Sequence, residues 1–196
     1  MYCMFFCCRS LTSLDVSRFD TSKVTSMYGM FYDCRNLISL DVSGFDTAQV
    51  TDMMGMFDYC ESLTSLNVSG FNTSRVTNMF AMFGGCGSLT SLDLSGFHTS
   101  RVTSMLGMFC DCGSLAFLDL SGFDTSRAEQ MKGMFDGCGS LETVRLGAKF
   151  SFKGSHTAVQ ATLPDKRWRS VSDGRTYSAR EIAERRSGTA DTYTAE

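Results

Sequence analysis

Apolar and polar residues alternate in a short, strict order through one stretch of chain, residues 37–62. Leu37, Leu40 and Val42 follow an L-x-x-L-x-V spacing whose second half predicts a strand. Leu40 and Val42 then face inward, while Ser39, Asp41 and Ser43 face out. Gly44 permits a tight bend, after which Phe45 returns to the interior. Beyond Asp46 and Thr47, the residues Val50, Met53, Met56 and Phe57 recur at three- and four-residue spacing. That spacing predicts one or two helical or 3₁₀ turns. Cys60 closes the unit.

The same pattern returns every 26 residues. Cys8, Cys34, Cys60, Cys86, Cys112 and Cys138 form one column, and Leu11, Leu37, Leu63, Leu89, Leu115 and Leu141 form another. Phe19, Phe45, Phe71, Phe97 and Phe123 keep the interval, as do Met27, Met53, Met79, Met105 and Met131. A unit this small cannot bury enough apolar surface to offset its own ordering entropy, so each must stack on its neighbours. The expected fold is an α/β solenoid. In it, right-handed coils of the leucine-rich-repeat kind build a parallel sheet of about six strands, roughly 4.8 Å apart.

The array is expected to cover residues 1–148, followed by a linker at 149–165 and a capping module at 166–196. In the module, Asp173-Gly174 signals a hairpin turn, and Ser178 with Glu181 forms a capping box for a helix to about Arg186. Gly188 stands where a helix terminator is expected, and Thr192-Tyr193-Thr194 could add a last strand. Trp168, Tyr177, Ile182 and Tyr193 would supply its apolar contacts. At the other end, Met1, Met4, Phe5 and Cys8 align with Met27, Met30, Phe31 and Cys34. The chain therefore begins halfway round a unit, and the expectation is a fragment or a mis-started reading frame whose missing part holds a cap and an export signal.

Charge separates the two parts. Residues 1–148 carry 9 Lys/Arg against 15 Asp/Glu, and residues 149–196 carry 9 against 6. A net charge of −3 excludes a nucleic acid held by phosphate neutralisation. No stretch approaches the roughly 20 apolar residues of a membrane-spanning helix. The six column cysteines spread along the stacking direction and cannot converge on one metal ion, so they are read as buried free thiols. Cys110 lies off the column and is expected at the surface, and Cys3 and Cys7 are expected to be reactive if the first residues fray. The Met and Phe columns are read as core. No nucleophile elbow, phosphate-cradling loop or metal-spaced His/Glu pair occurs, and no catalytic residue, metal or cofactor is assigned.

The most informative surface feature is the outward strand column Asp15, Asp41, Asn67, Asp93 and Asp119. Like charges on neighbouring strands repel, so this row is mildly destabilising unless basic groups or cations compensate. Serines flank it at 13, 39, 65 and 91 and again at 17, 43, 69, 95 and 121. The candidate ligand-binding residues are Ser39, Asp41, Ser65, Asn67, Ser91, Asp93, Phe117 and Asp119. A second column, Lys23, Gln49, Arg75, Arg101 and Arg127, is mostly basic.

Written as MFxxCxxLxxLDVSGFDTSxVTxM, the repeat resembles the 26-residue unit of BspA-like leucine-rich-repeat surface proteins of bacteria. The resemblance covers about residues 1–146, and the tail from Trp168 is similar to segments that follow such arrays. It implies a non-catalytic surface or secreted protein engaged in adhesion. The implied partner is a protein or glycan, host or extracellular-matrix material included. The alternatives are a structural spacer within a longer surface protein and a cytoplasmic interaction scaffold.

Overall fold

A computed structural model describes residues 1–186 and 188–196. The chain is mostly β, with one short helix among the described residues. Strands β1 (Ser13–Leu14), β2 (Ser39–Leu40) and β3 (Ser65–Leu66) form a parallel sheet in which each residue faces the one 26 positions later. Strands β4 (Phe117–Leu120) and β5 (Thr143–Leu146) pair in the same way, Phe117 against Thr143. The 26-residue register is therefore real hydrogen-bond register.

The single six-stranded sheet is corrected. Residues 91–94 lie between β3 and β4 and form no strand, so the repeat strands divide between a three-stranded sheet and a five-stranded one. The second sheet is completed by β6 (Arg167–Ser170), β7 (Thr176–Ser178) and β8 (Asp191–Ala195) in the order β4-β5-β8-β6-β7. β8 runs antiparallel to β5 and occupies the edge that a further parallel strand would otherwise take.

The predicted helical turns are also corrected. Residues 54–59 form a turn in which alternate N–H groups go in two directions. Those of Met56, Asp58 and Cys60 bond three residues back, to Met53, Gly55 and Phe57 at 3.1–3.2 Å. Those of Met53, Gly55, Phe57 and Tyr59 bond sideways to the next unit, at Asn78, Phe80, Met82 and Gly84, at 2.7–3.0 Å. Gly55 and Tyr59 sit at φ +57° and +58° and interrupt any helical run. The three-residue bonds explain why the apolar spacing reads as helical.

Two sides of each unit thus hold its neighbours with opposite polarity. On the turn side N–H groups point to the following unit. On the strand side they point back, as in Ile38 N–H to Thr12 and Thr64 N–H to Ile38. Between them a buried threonine column joins units: the Thr73 hydroxyl donates to the His98 carbonyl at 3.1 Å and accepts the His98 N–H at 2.7 Å. Thr21, Thr47, Thr99 and Thr125 are buried in the equivalent places.

The core is the set of repeat columns. Phe31, Phe57, Phe83 and Phe109 are fully buried and stacked in sequence, with centroids 5.7–5.9 Å apart. Each buried column thiol donates to a carbonyl of the preceding unit, as Cys86 does to Phe57 at 3.2 Å. A cysteine therefore serves this position as a small hydrophobe that also satisfies a buried acceptor.

The repeat path continues past residue 148. Thr125 engages Ser151 as Thr99 engages Asp124, with one residue inserted, and Phe150 and Phe152 are buried. Ala161 and Leu163 join the same core, so the segment read as a linker packs against the array. In the module, β6 and β7 pair across the Asp173-Gly174 turn, and Gly174 takes φ +69°. Helix α1 (Ala179–Arg185) starts with both hydrogen bonds of the Ser178/Glu181 capping box. Its last turn leads into Arg186, whose Nε donates to the Phe150 carbonyl at 3.0 Å and whose Nη2 donates to the Gly147 carbonyl. Gly188 has φ +78°. Trp168, Ile182 and Tyr193 are buried, and Tyr177 is half-buried.

Candidate functional site

The outward strand positions line an open groove of about 880 Å³. Ser39, Asp41, Ser65, Asn67, Ser91 and Asp93 face it together, joined by Ser13 and Asp15. Phe117 and Asp119 lie apart from them, in an adjoining groove of about 440 Å³ that shares Ser91 and Asp93. The gap between the two sheets, at residues 91–94, marks the division.

Each acidic side chain in the row has a local role that the sequence pattern had already spelled out. Asp41 Oδ1 accepts the Ser43 N–H at 2.9 Å, and Asp15, Asp93 and Asp119 accept from Ser17, Ser95 and Ser121 at the same distance. Asn67 substitutes with its amide oxygen, which accepts both the N–H and the hydroxyl of Ser69. This is the Asx turn, in which a short polar side chain imitates a backbone carbonyl to tighten a bend. The recurrent D-x-S-G was the available signal, and reading the aspartates only as outward charges missed it.

The turn donors also govern ionisation. The Ser43 hydroxyl and N–H hold the Asp41 carboxyl below the ordinary range, and Ser17 and Ser95 do the same for Asp15 and Asp93. For Asp119, partial burial acts upward, but Ser121 and Arg145 outweigh it and the net direction is down. Repulsion along the row is thus met locally at each turn, and at Asp119 also by a cation. Arg145 Nη1 lies 3.4 Å from Asp119 Oδ2, and its guanidinium lies 5.4 Å from the centre of the Phe117 ring. Phe117 and Asp119 are therefore engaged within the chain, whereas Asp15, Asp41 and Asp93 remain exposed.

Sequence reasoning missed the acidic cluster on the turn side. Asp33 is buried and forms ion pairs with Arg9 and Arg35. Burial pushes its carboxyl up, but hydrogen bonds from Arg35, Arg9 and Cys7 bring the net shift down. Asp58 is also buried, without a cation, and burial pushes its carboxyl up to about 7, with the Asp33 and Asp111 charges acting the same way. These residues occupy different columns, 32-58-84 and 33-59-85, so no single column revealed them.

The thiols are free. Burial pushes Cys34 up to about 11 and Cys138 up to about 12. Cys110 is half-buried rather than fully exposed, bonds to Asp111 at 3.3 Å, and is pushed up to about 11, mainly by burial. Cys7 is exposed, yet desolvation and Asp33 raise it, which works against thiolate reactivity. Among the described residues no group of three or more His, Cys, Asp or Glu could hold a metal ion, and no helix is long and apolar enough to cross a membrane.

No curated protein and no solved structure matches the chain. A family described as "Mycoplasma protein of unknown function, DUF285" matches residues 1–113 and again residues 63–147. Overlapping matches are what a 26-residue period produces, because a model spanning several units fits in more than one register. Together they span residues 1–147 of the 196, and the chain belongs to the DUF285 family.

Proposed function

We propose that this chain is a right-handed α/β solenoid of the BspA-like leucine-rich-repeat kind and that it acts without catalysis. In this reading it presents its outward strand face to a protein or glycan partner at a bacterial cell surface. The supporting observation is the groove, in which exposed serine hydroxyls from four successive units, with three carboxylates and the Asn67 amide, form one continuous polar surface. Stacked repeats bind by such extended faces, and single outward substitutions tune them without disturbing the core. Asp15, Asp41 and Asp93 each use one carboxylate oxygen on their own turn, and the other oxygen is available to a ligand.

The test is binding to purified extracellular-matrix proteins and to a glycan array, comparing the native chain with Ser39→Arg and Ser65→Arg. These substitutions obstruct the groove and leave the Asx turns in place. A saturable ligand lost in both variants supports the reading. A ligand bound equally by all three proteins overturns it. A second reading, an intracellular interaction scaffold, is favoured by the nine free thiols, since exported proteins tend to pair theirs.

A further inference from the structure

The turn-side ladder has a polarity, and that polarity leaves one end of it unfilled. In each of the first five units, alternate turn N–H groups donate to carbonyls of the following unit. In the fifth, Gly107, Phe109 and Asp111 donate to Lys132, Met134 and Asp136 at 2.7–3.0 Å. The sixth unit repeats the same turn, with Gly133 and Gly137 at φ +66° and +73°. Its equivalent donors, the N–H groups of Met131, Gly133, Phe135 and Gly137, make no hydrogen bond among the described residues. The intervening N–H groups of Met134, Asp136 and Cys138 keep their three-residue bonds at 3.2 Å, so the turn itself is intact.

Where a seventh turn would lie there is a cavity of about 410 Å³. Phe135 and Gly137 line it on one side, and Leu163, Pro164, Ala179 and Arg180 on the other. The capping segments cover the core there, since Phe152 packs edge-on against Phe135, but among the described residues they bring no carbonyl to the ladder. Phe135 is buried whereas Gly137 is exposed, so the cost of an unpaired N–H falls mainly on Phe135. A concave run of N–H groups next to left-handed residues is a site for carbonyl or carboxylate oxygens.

We propose that this cavity is a second binding site, distinct from the strand face, which takes a peptide segment of a partner protein whose carbonyls accept from the Phe135 and Gly137 N–H groups that line it. The occupant's chemistry follows from continuity with the five junctions already formed, each of which uses alternate peptide carbonyls from a turn of the repeat type. Its size lies within the range of ordinary ligand cavities.

The probe is an acetylated peptide copying Met105–Asp111 with Cys110→Ser, because the Leu106, Met108 and Cys110 carbonyls fill the equivalent positions two junctions earlier. It is titrated into the full chain while backbone amide resonances are followed. The expected result is a saturable shift at Phe135 and Gly137 with none at Ala81 and Phe83, whose N–H groups are already bonded. Thr162→Trp, which fills the cavity from its exposed wall, is expected to weaken binding at least tenfold with an otherwise unchanged spectrum. If that variant perturbs folding, Thr162→Leu is used instead. Absence of movement at these two amides up to millimolar peptide overturns the proposal, as does movement that the cavity-filling variant leaves unaltered.

Discussion

The strand side and the turn side of each unit perform the same task with unequal means. On the strand side, β1 to β3 are two residues long and the row at 91–94 forms no strand. On the turn side, four sideways hydrogen bonds recur at every junction from the second unit to the sixth. The strand side is polar, and at its bends Gly44 and Gly70 have nothing within 4 Å of an added Cβ, although one at Gly96 would meet the Ser69 carbonyl. The turn side is close-packed and forces left-handed backbone at two positions per unit. The surface that looks most like a sheet is thus the less constrained one, and cohesion is concentrated in turns.

Several substitutions would break or sharpen this contrast. The largest expected effect is electrostatic. The Asp58 carboxyl is pushed up to about 7 beside Gly84, where an added Cβ would stand 2.6 Å from its oxygen. With its pKa raised on folding, Asp58 contributes stability that is fully present below the unfolded value near 3.8 and is lost as pH rises towards 7. The span is on the order of 4 kcal/mol. Urea titrations between pH 4 and 8 should therefore show Asp58→Asn flattening the decline. On the strand side Asp41→Asn should act with the opposite sign, removing stability that is present at neutral pH and lost on acidification. Equal pH profiles for native protein and Asp58→Asn would refute the assignment.

Gly137→Ala comes next. It places a Cβ 2.9 Å from the Asp111 Cα at φ +73°, and left-handed strain with overpacking should cost about 3 kcal/mol in chemical denaturation. A loss below 1 kcal/mol would mean the turn ladder yields easily. Ala81→Gly should act the other way. Ala81 holds φ +47° on the turn side, and relief of that strain should stabilise by about 1 kcal/mol. Gly70→Ala, on the strand side, should change the midpoint by less than about 0.5 kcal/mol. If Gly70→Ala were as damaging as Gly137→Ala, the contrast between the two sides would fail.

Much of the core was legible because a repeated residue type at a fixed interval has one physical explanation, a shared interior position. The column members Met53, Met56, Phe57, Cys60 and Leu63 are all fully buried. The hairpin turn and capping box were legible for a different reason: Asp173-Gly174 and Ser178/Glu181 act over three or four residues, so the sequence contains both partners. The helical turns were misread because apolar spacing reports which residues point inward and is blind to where the N–H groups go. The candidate face was legible as a row of positions, but the engagement of Asp119 and Phe117 by Arg145 was not, since Arg145 breaks the acidic column where the pattern ends.

From the sequence alone follow the period, the inward columns, the outward serine and aspartate rows and the local caps. Each depends on residue type and spacing within one unit, and every unit repeats the statement. The tertiary structure decided what depends on differences between neighbours. It interrupted the sheet at residues 91–94, left Asp58 buried without a cation while Asp33 has two, and ended the turn ladder with four N–H groups unbonded among the described residues. Burial, charge compensation and hydrogen-bond pairing are properties of what lies across a junction, and a periodic sequence cannot display them one unit at a time.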